Sequence, residues 1–171
     1  MLAYNLKKKG NSKCEGNKNM IRKNNKHMSE EEIKYLKNII RKSTKKQIKM
    51  SNHARSKNLI KEEEIIKIIY GNKYEIIDYN YNLNSKEERI VFRAKNTFEI
   101  KDTNNNKIEK CYIKIVIDIN SNTIITLWGN KVADEKEKQD NIKTMEEGIA
   151  NKGIKTSYIE NFDIINKRIK F

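Results

Sequence analysis

Two periods divide the chain. Across residues 29–70 the apolar side chains recur every three or four positions, whereas from 73 to 130 they alternate. "SEEEIKYLKNIIRK" (29–42) sets Ile33, Leu36, Ile39 and Ile40 on one stripe, which predicts a helix. Ser29 and Glu32 have the spacing of a capping box, with acids at the positive end of that helix and Arg41 and Lys42 at the other. A polar link, "STKKQIKM", leads on towards "IKEEEIIKIIY" (60–70), a second helix with acids at its start and Gly71 placed for a C-terminal cap. Ile65, Ile66, Ile68 and Ile69 do not fit one narrow stripe, so this helix is expected to be buried over a wide face.

The alternating half predicts four strands: "KYEIIDYNY" (73–81), "ERIVFRAKN" (88–96), "KCYIKIVIDI" (110–119) and "NTIITLWGN" (122–130). "FEIK" (98–101) either extends the second or forms a short strand of its own. The last two strands join through "NSN", a hairpin-type turn. Residues 1–28 are basic and poor in large apolar side chains, so they read as a flexible tail or linker. A chain starting at Met28 is expected to fold without them. Residues 133–150 carry only a thin apolar stripe and predict a peripheral C-terminal helix, and "YIENFDIINKRIKF" a short strand or hairpin. The expected architecture is α+β: two N-terminal helices packed on a four-stranded antiparallel meander sheet, in one domain over 29–171. One sheet face is covered by helices and the other is open.

Charge turns attention to that open face. Lys and Arg number 37 against 23 Asp and Glu, a formal charge of +14 in 171 residues. Such an excess fits a polyanionic partner, nucleic acid before an acidic protein or an anionic membrane. Lys, Asn and Ile dominate and Pro is absent, the signature of an AT-rich genome, which raises the charge without any ligand. Cys14 and Cys111 lie far apart with no metal-ligand spacing, which fits a reducing compartment; the sequence points to no metal and no cofactor. No run of about 18 apolar residues is present and the first residues lack the apolar core of a signal peptide, so no membrane association is expected.

Strand alternation sorts the candidate residues. Ile90, Phe92 and Ala94 point one way and Arg89, Val91 and Arg93 the other. Cys111, Ile113, Ile115, Ile117 and Ile119 form an apolar row, opposite Tyr112, Lys114, Val116 and Asp118. Two arginines, a lysine and a tyrosine make a platform suited to a strand of RNA or DNA, although a solvated sheet face collects the same residues. In the last strand Ile124, Thr126 and Trp128 share a side, and Trp128 is expected in the core or an interface. His53, in "SNHARSK", precedes the second helix. Imidazole titrates near neutrality and suits a general acid or base. With Arg55 and Arg93 to stabilise charge on the phosphoryl oxygens, it could promote attack of a ribose 2′-hydroxyl on its own phosphorus without a metal. The plainer reading is that Ser51 or Asn52 caps a turn and His53 is merely exposed; His27 is read as having no function.

"MSNHARSKNLIKEEEIIKII", followed by "YEIIDYN", "RIVFRAKN" and "IKIVIDINSNTIITLW", resembles a small S-x-H-A domain type within the RelE-like, barnase–EndoU–colicin–RelE superfamily of ribonuclease toxins. The resemblance covers about residues 48–130. Arg55 falls earlier than the arginines of that pattern, and Lys57 and Lys61 stand in the later places. The resemblance implies a metal-independent endoribonuclease toxin acting on cytoplasmic RNA. His53, Arg93 and Thr126 would be catalytic, and Arg55, Arg89, Tyr112 and Lys114 would bind the substrate. It also implies an acidic immunity or antitoxin protein that covers the basic face. "LAYNLKKKGN" resembles linkers that precede toxin tips of secreted effectors, which would make Met1 something other than a natural start. Two other classes stay open: a non-catalytic nucleic-acid-binding module, and a phage- or plasmid-encoded inhibitor of a host nucleic-acid-handling protein.

Overall fold

The computed structural model of the protein describes residues 20–134, 157–158 and 161–170. In chain order these form β1 (Met20–Asn24), a 3-10 turn (Asn25–His27), α1 (Glu30–Lys45), β2 (Lys49–Met50), α2 (Asn52–Ser56) and α3 (Glu62–Tyr70). The strands β3 (Tyr74–Asn82), β4 (Glu88–Ala94), β5 (Phe98–Lys101), β6 (Ile108–Asp118) and β7 (Thr123–Lys131) follow. Three two-residue strands complete the set: β8 (Ser157–Tyr158), β9 (Phe162–Asp163) and β10 (Arg168–Ile169).

The class is α+β, with a large, mostly antiparallel sheet. Its main path runs β2-β7-β6-β4-β3-β1-β8, β5 also pairs with β6, and β9 and β10 form a separate ribbon. The four expected strands are the centre of this sheet, joined as β3, β4, β6 and β7. "FEIK" is a strand of its own, β5, laid on the outer half of β6.

Two expectations need correction. Among the described residues the sheet has eight strands rather than four, because besides β5 on β6, β1 pairs with β3, β8 pairs with β1 and β2 pairs with β7. The added strands are only two to five residues long, too short for alternation to mark them in the sequence. The helices are also not a simple N-terminal pair: β1 precedes α1, and β2 and α2 separate α1 from α3. The expected C-terminal helix over 133–150 lies outside the described residues beyond Asp134.

α1 and α3 cover one sheet face. Leu36, Ile40, Ile65 and Ile69 meet Ile90, Phe92, Ile113, Ile115 and Ile117 in one core, and Tyr74 packs edge-on against Phe92 at 5.2 Å between centroids. α1 starts as its capping box predicts: Ser29 Oγ accepts from the Glu32 N–H, and Glu32 Oε1 accepts from the Ser29 N–H at 3.0 Å.

Glu32 does more than cap. Lys23 of β1 donates to both its oxygens, at 2.8 and 3.0 Å, and the Ile164 N–H donates to Oε2 at 2.9 Å. Lys23 also donates to the Phe162 carbonyl at 2.8 Å. Both charged side chains are only 5% exposed. Burial alone would raise the Glu32 carboxyl, but the Lys23 ammonium and the Ser29 and Ile164 N–H groups together hold it below its ordinary value. The same C-terminal turn sends Lys167 among the rings of Tyr35, Tyr79 and Tyr81, at 5.0, 5.1 and 5.9 Å from their centroids, with Glu88 3.1 Å away.

Residues 20–28 are therefore not part of a tail. Ile21 is fully buried, and β1 lies antiparallel on β3 from Met20↔Asn82 to Asn24↔Asp78. Composition failed here because the deciding residue, Lys23, is charged and finds its partner nine residues on.

Two outcomes follow from this junction. A chain starting at Ser29 should lose its cooperative thermal melt, while one starting at Asn19 should keep it; equal melts would remove β1 from the core. Glu32→Gln should cost about 3–5 kcal/mol, because it leaves Lys23 buried without its counter-charge. Since the folded-state pKa of Glu32 is depressed, its stabilisation is complete above the ordinary value of 4.5 and is lost as the pH falls below that. The variant's stability should accordingly depend less on pH between about 5 and 3 than the parent's, which denaturant titrations at each pH would measure.

Candidate nucleic-acid interface

Register defines the face opposite the helices. Arg89 pairs with Asp118, Val91 with Val116 and Arg93 with Lys114 across β4 and β6. Val116, Lys114 and Tyr112 pair in turn with Thr126, Trp128 and Asn130 of β7. These residues share the open face.

β7 departs from simple alternation. Val116 faces Thr126 but Ile117 faces Ile124, so Ile125 is an extra residue in a bulge. Ile124 and Leu127 consequently both enter the core, each fully buried, and Thr126 and Trp128 both turn to the open face. Trp128 is half-buried there, so of its two expected places, core or interface, it is not in the core. The sequence does mark the conflict: "TIITLW" has one apolar residue too many for strict alternation.

The arginines of this face are not free cations. Arg93 bonds Glu75 at 3.1 Å, lies 4.6 Å over the Tyr112 ring and is 19% exposed. Arg89 lies 3.7 Å from Glu87 and 3.8 Å from Asp118, and Arg22 on β1 bonds Asp78 at 2.7 Å. The platform is thus a lattice of paired charges with Tyr112 and Trp128 set in it, and Lys114 lies between Arg93 and Trp128 in the register.

α2 sits at the β7 edge of this face. The Ser51 N–H donates to the Ile124 carbonyl at 2.9 Å and its Oγ donates to the Ile125 carbonyl at 2.9 Å, while the same Oγ accepts from the Ala54 N–H and caps the helix. Buried Ala54 fixes the inward side. His53 is exposed, and Lys57 follows it by four residues, on the same side of the turn. Lys57 Nζ donates to Thr126 Oγ1 at 3.2 Å, which brings that side of α2 to the open face. Arg55 points elsewhere and bonds Glu62, at the start of α3, at 2.9 Å.

Of the expected catalytic residues, Thr126 lies at this corner, bonded to Lys57, and His53 stands exposed on the same side of α2 as Lys57. Arg93 does not join them. It lies on β4, two strands in from β7, roughly 10 Å away by strand spacing, and two residues further along in register. Arg55 and Arg89 are each turned to a carboxylate. Lys57, which stands in a later place of the arginine pattern but was not among the expected site residues, is the cation that the structure brings to Thr126. Cys111 lies on the core face with its thiol pushed up by burial, away from this corner. Among the described residues no group of three His, Cys, Asp or Glu side chains is set to hold a metal ion, and no helix is long and apolar enough to cross a membrane.

No protein-family model matches the chain, and no curated protein or solved structure matches it. The resemblance to ribonuclease toxins rests on the residues that carry it.

The placement of the chain's single tryptophan can be checked directly. Fluorescence excited selectively at Trp128 should change when a single-stranded oligonucleotide is added, and Trp128→Ala should weaken binding by about 1–3 kcal/mol, the range for a base stacked on an aromatic side chain. Unchanged emission at saturating oligonucleotide would mean that strands do not run over this face.

Proposed function

We propose that the protein is a metal-independent endoribonuclease of the toxin kind, acting on cytoplasmic RNA through the corner formed by His53, Lys57 and Thr126. The observation that carries the reading is the Lys57–Thr126 hydrogen bond, which ties the side of α2 that bears the exposed His53 to the rim of an aromatic-bearing sheet face. A ribose 2′-oxygen attacks the adjacent phosphorus and the bond from phosphorus to the 5′-oxygen breaks. His53 accepts the proton of the attacking hydroxyl or supplies one to the leaving oxygen, and water carries the other proton transfer, so that the products are a cyclic phosphate and a 5′-hydroxyl. Lys57 and Thr126 donate to the phosphoryl oxygens as negative charge builds on them. Arg93 belongs to substrate binding in this scheme: its guanidinium, stacked on Tyr112, and Trp128 offer flat surfaces to bases, while Lys114 and Arg89 add charge along the path. The helix-then-strand order over 52–131 supports the toxin-type ribonuclease domain as the fold family. A regulator for such an enzyme is an acidic immunity or antitoxin protein that covers the same face, in keeping with the +14 charge.

A second reading is a non-catalytic nucleic-acid-binding module using the same platform. One observation favours it: among the described residues His53 makes no side-chain hydrogen bond to a carboxylate that would orient its ring.

One substitution separates the two. His53→Ala should lower the cleavage rate by about 10²–10⁴, with EDTA present, and leave the melting temperature unmoved, because an exposed side chain contributes little to stability. Cleavage at the parental rate would defeat the proposed mechanism, and binding with no cleavage by the parent would establish the module.

A further inference from the structure

A group of cations that forms no ion pair among the described residues lies on the other layer. α1 carries Lys34, Lys37 and Arg41 along the side that faces α3, where they line a groove of about 370 Å³ with Ile33, Asn38, Ile69, Asn72 and Tyr74. Among the described residues none of the three cations has a carboxylate within 4 Å, in contrast with Arg22, Arg55, Arg89 and Arg93. Glu30 closes one end of the groove.

The cations rest on aromatic and amide groups instead. Lys37 Nζ sits 5.2 Å from the Tyr74 ring centroid and donates to Asn72 Oδ1 at 3.1 Å. Asn72 holds that position in a left-handed turn, at φ 52°, just after the Gly71 cap of α3. Arg41 lies 5.8 Å over the ring of Tyr70, a residue 42% exposed at the end of α3. Burial, with Lys95 adding repulsion and Glu75 acting weakly the other way, pushes the Lys37 ammonium below its ordinary value. The helical rise spreads Lys34 to Arg41 over about 10 Å, room for more than one phosphate along the groove.

We propose that this groove between α1 and α3 is a second nucleic-acid contact, taking the phosphodiester backbone of single-stranded RNA on Lys34, Lys37 and Arg41 while exposed Tyr70 offers a ring to an unstacked base. An anion there supplies the ion-pair partner that the three cations lack, and an exposed ring beside a cationic groove lets an unpaired strand place phosphates on the cations and a base on the ring. The inference extends the nucleic-acid reading of the protein but does not need the cleavage corner.

The test is a salt titration of binding to a fluorescent 2′-O-methyl oligouridylate, which keeps the phosphates and resists 2′-hydroxyl attack. Lys34→Gln with Arg41→Gln alters two exposed side chains and should leave the melt intact. Their loss should weaken binding and reduce the slope of log K against log salt by about 1.4, roughly 0.7 for each lost phosphate contact on a single strand. An unchanged slope and affinity would overturn the proposal. Competition by polyglutamate as effective as that by unlabelled oligonucleotide would overturn it too, marking the groove as an acidic-protein surface. Trp128→Ala run in parallel separates the two sites: loss of affinity there with none in the groove variant leaves the open-face reading standing and removes this one. The reverse pattern removes the open face and keeps the groove.

Discussion

The Lys23–Glu32 ion pair is the contact on which the described structure depends. Alone, two buried charges would be costly, since the loss of hydration rivals their attraction. Here the cost is offset because each charge is also hydrogen-bonded: Glu32 accepts from Ser29 and Ile164, and Lys23 donates to the Phe162 carbonyl. One carboxylate thus starts α1, holds β1 in the sheet and docks the C-terminal turn. The Tyr35–Tyr79–Tyr81 cluster around Lys167 fastens the same turn a second time, with the Tyr79 hydroxyl bonded to Glu88 at 2.9 Å.

The opposite edge is built by backbone bonds instead. β2 runs parallel to β7 for two residues, and Ser51 then reaches past it to the Ile124 and Ile125 carbonyls. The extra residue of the β7 bulge turns Thr126 outward at the level where α2 arrives, so the proposed corner is a product of strand register as much as of residue type. Charge follows the same architecture. The central strands carry arginines, but their neighbours supply Glu75, Glu87 and Asp118, which ties the guanidinium groups down. The cations Lys34, Lys37 and Arg41 on α1 form no ion pair among the described residues.

Local pattern was enough for much of this. The capping box at Ser29, the stripe of α1, the wide apolar face of α3 and the alternation of β3, β4 and β6 each depend on neighbours within a few residues, and each was readable. What escaped depends on distant partners. Glu32 is legible as a cap but not as the mate of Lys23 and Ile164, and nothing local in "MIRKN" announces a strand. Ile124 was grouped with Thr126 and Trp128, but the bulge at Ile125 sends it into the core while those two stay on the open face. Within the site, His53 and Thr126 could be named from the sequence, but the bond from Lys57 to Thr126 crosses 69 residues, and the carboxylates facing Arg89 and Arg93 come from other strands or turns.

The chemistry of the corner is best judged by the ends of its products. RNA cut in the presence of EDTA should carry 2′,3′-cyclic phosphate on one fragment and a free 5′-hydroxyl on the next, and a strand with a single 2′-deoxy sugar at the cleaved position should stay whole. Fragments with 5′-phosphates, or cleavage of the deoxy-substituted strand, would contradict attack by the ribose hydroxyl and with it the proposed roles of His53, Lys57 and Thr126.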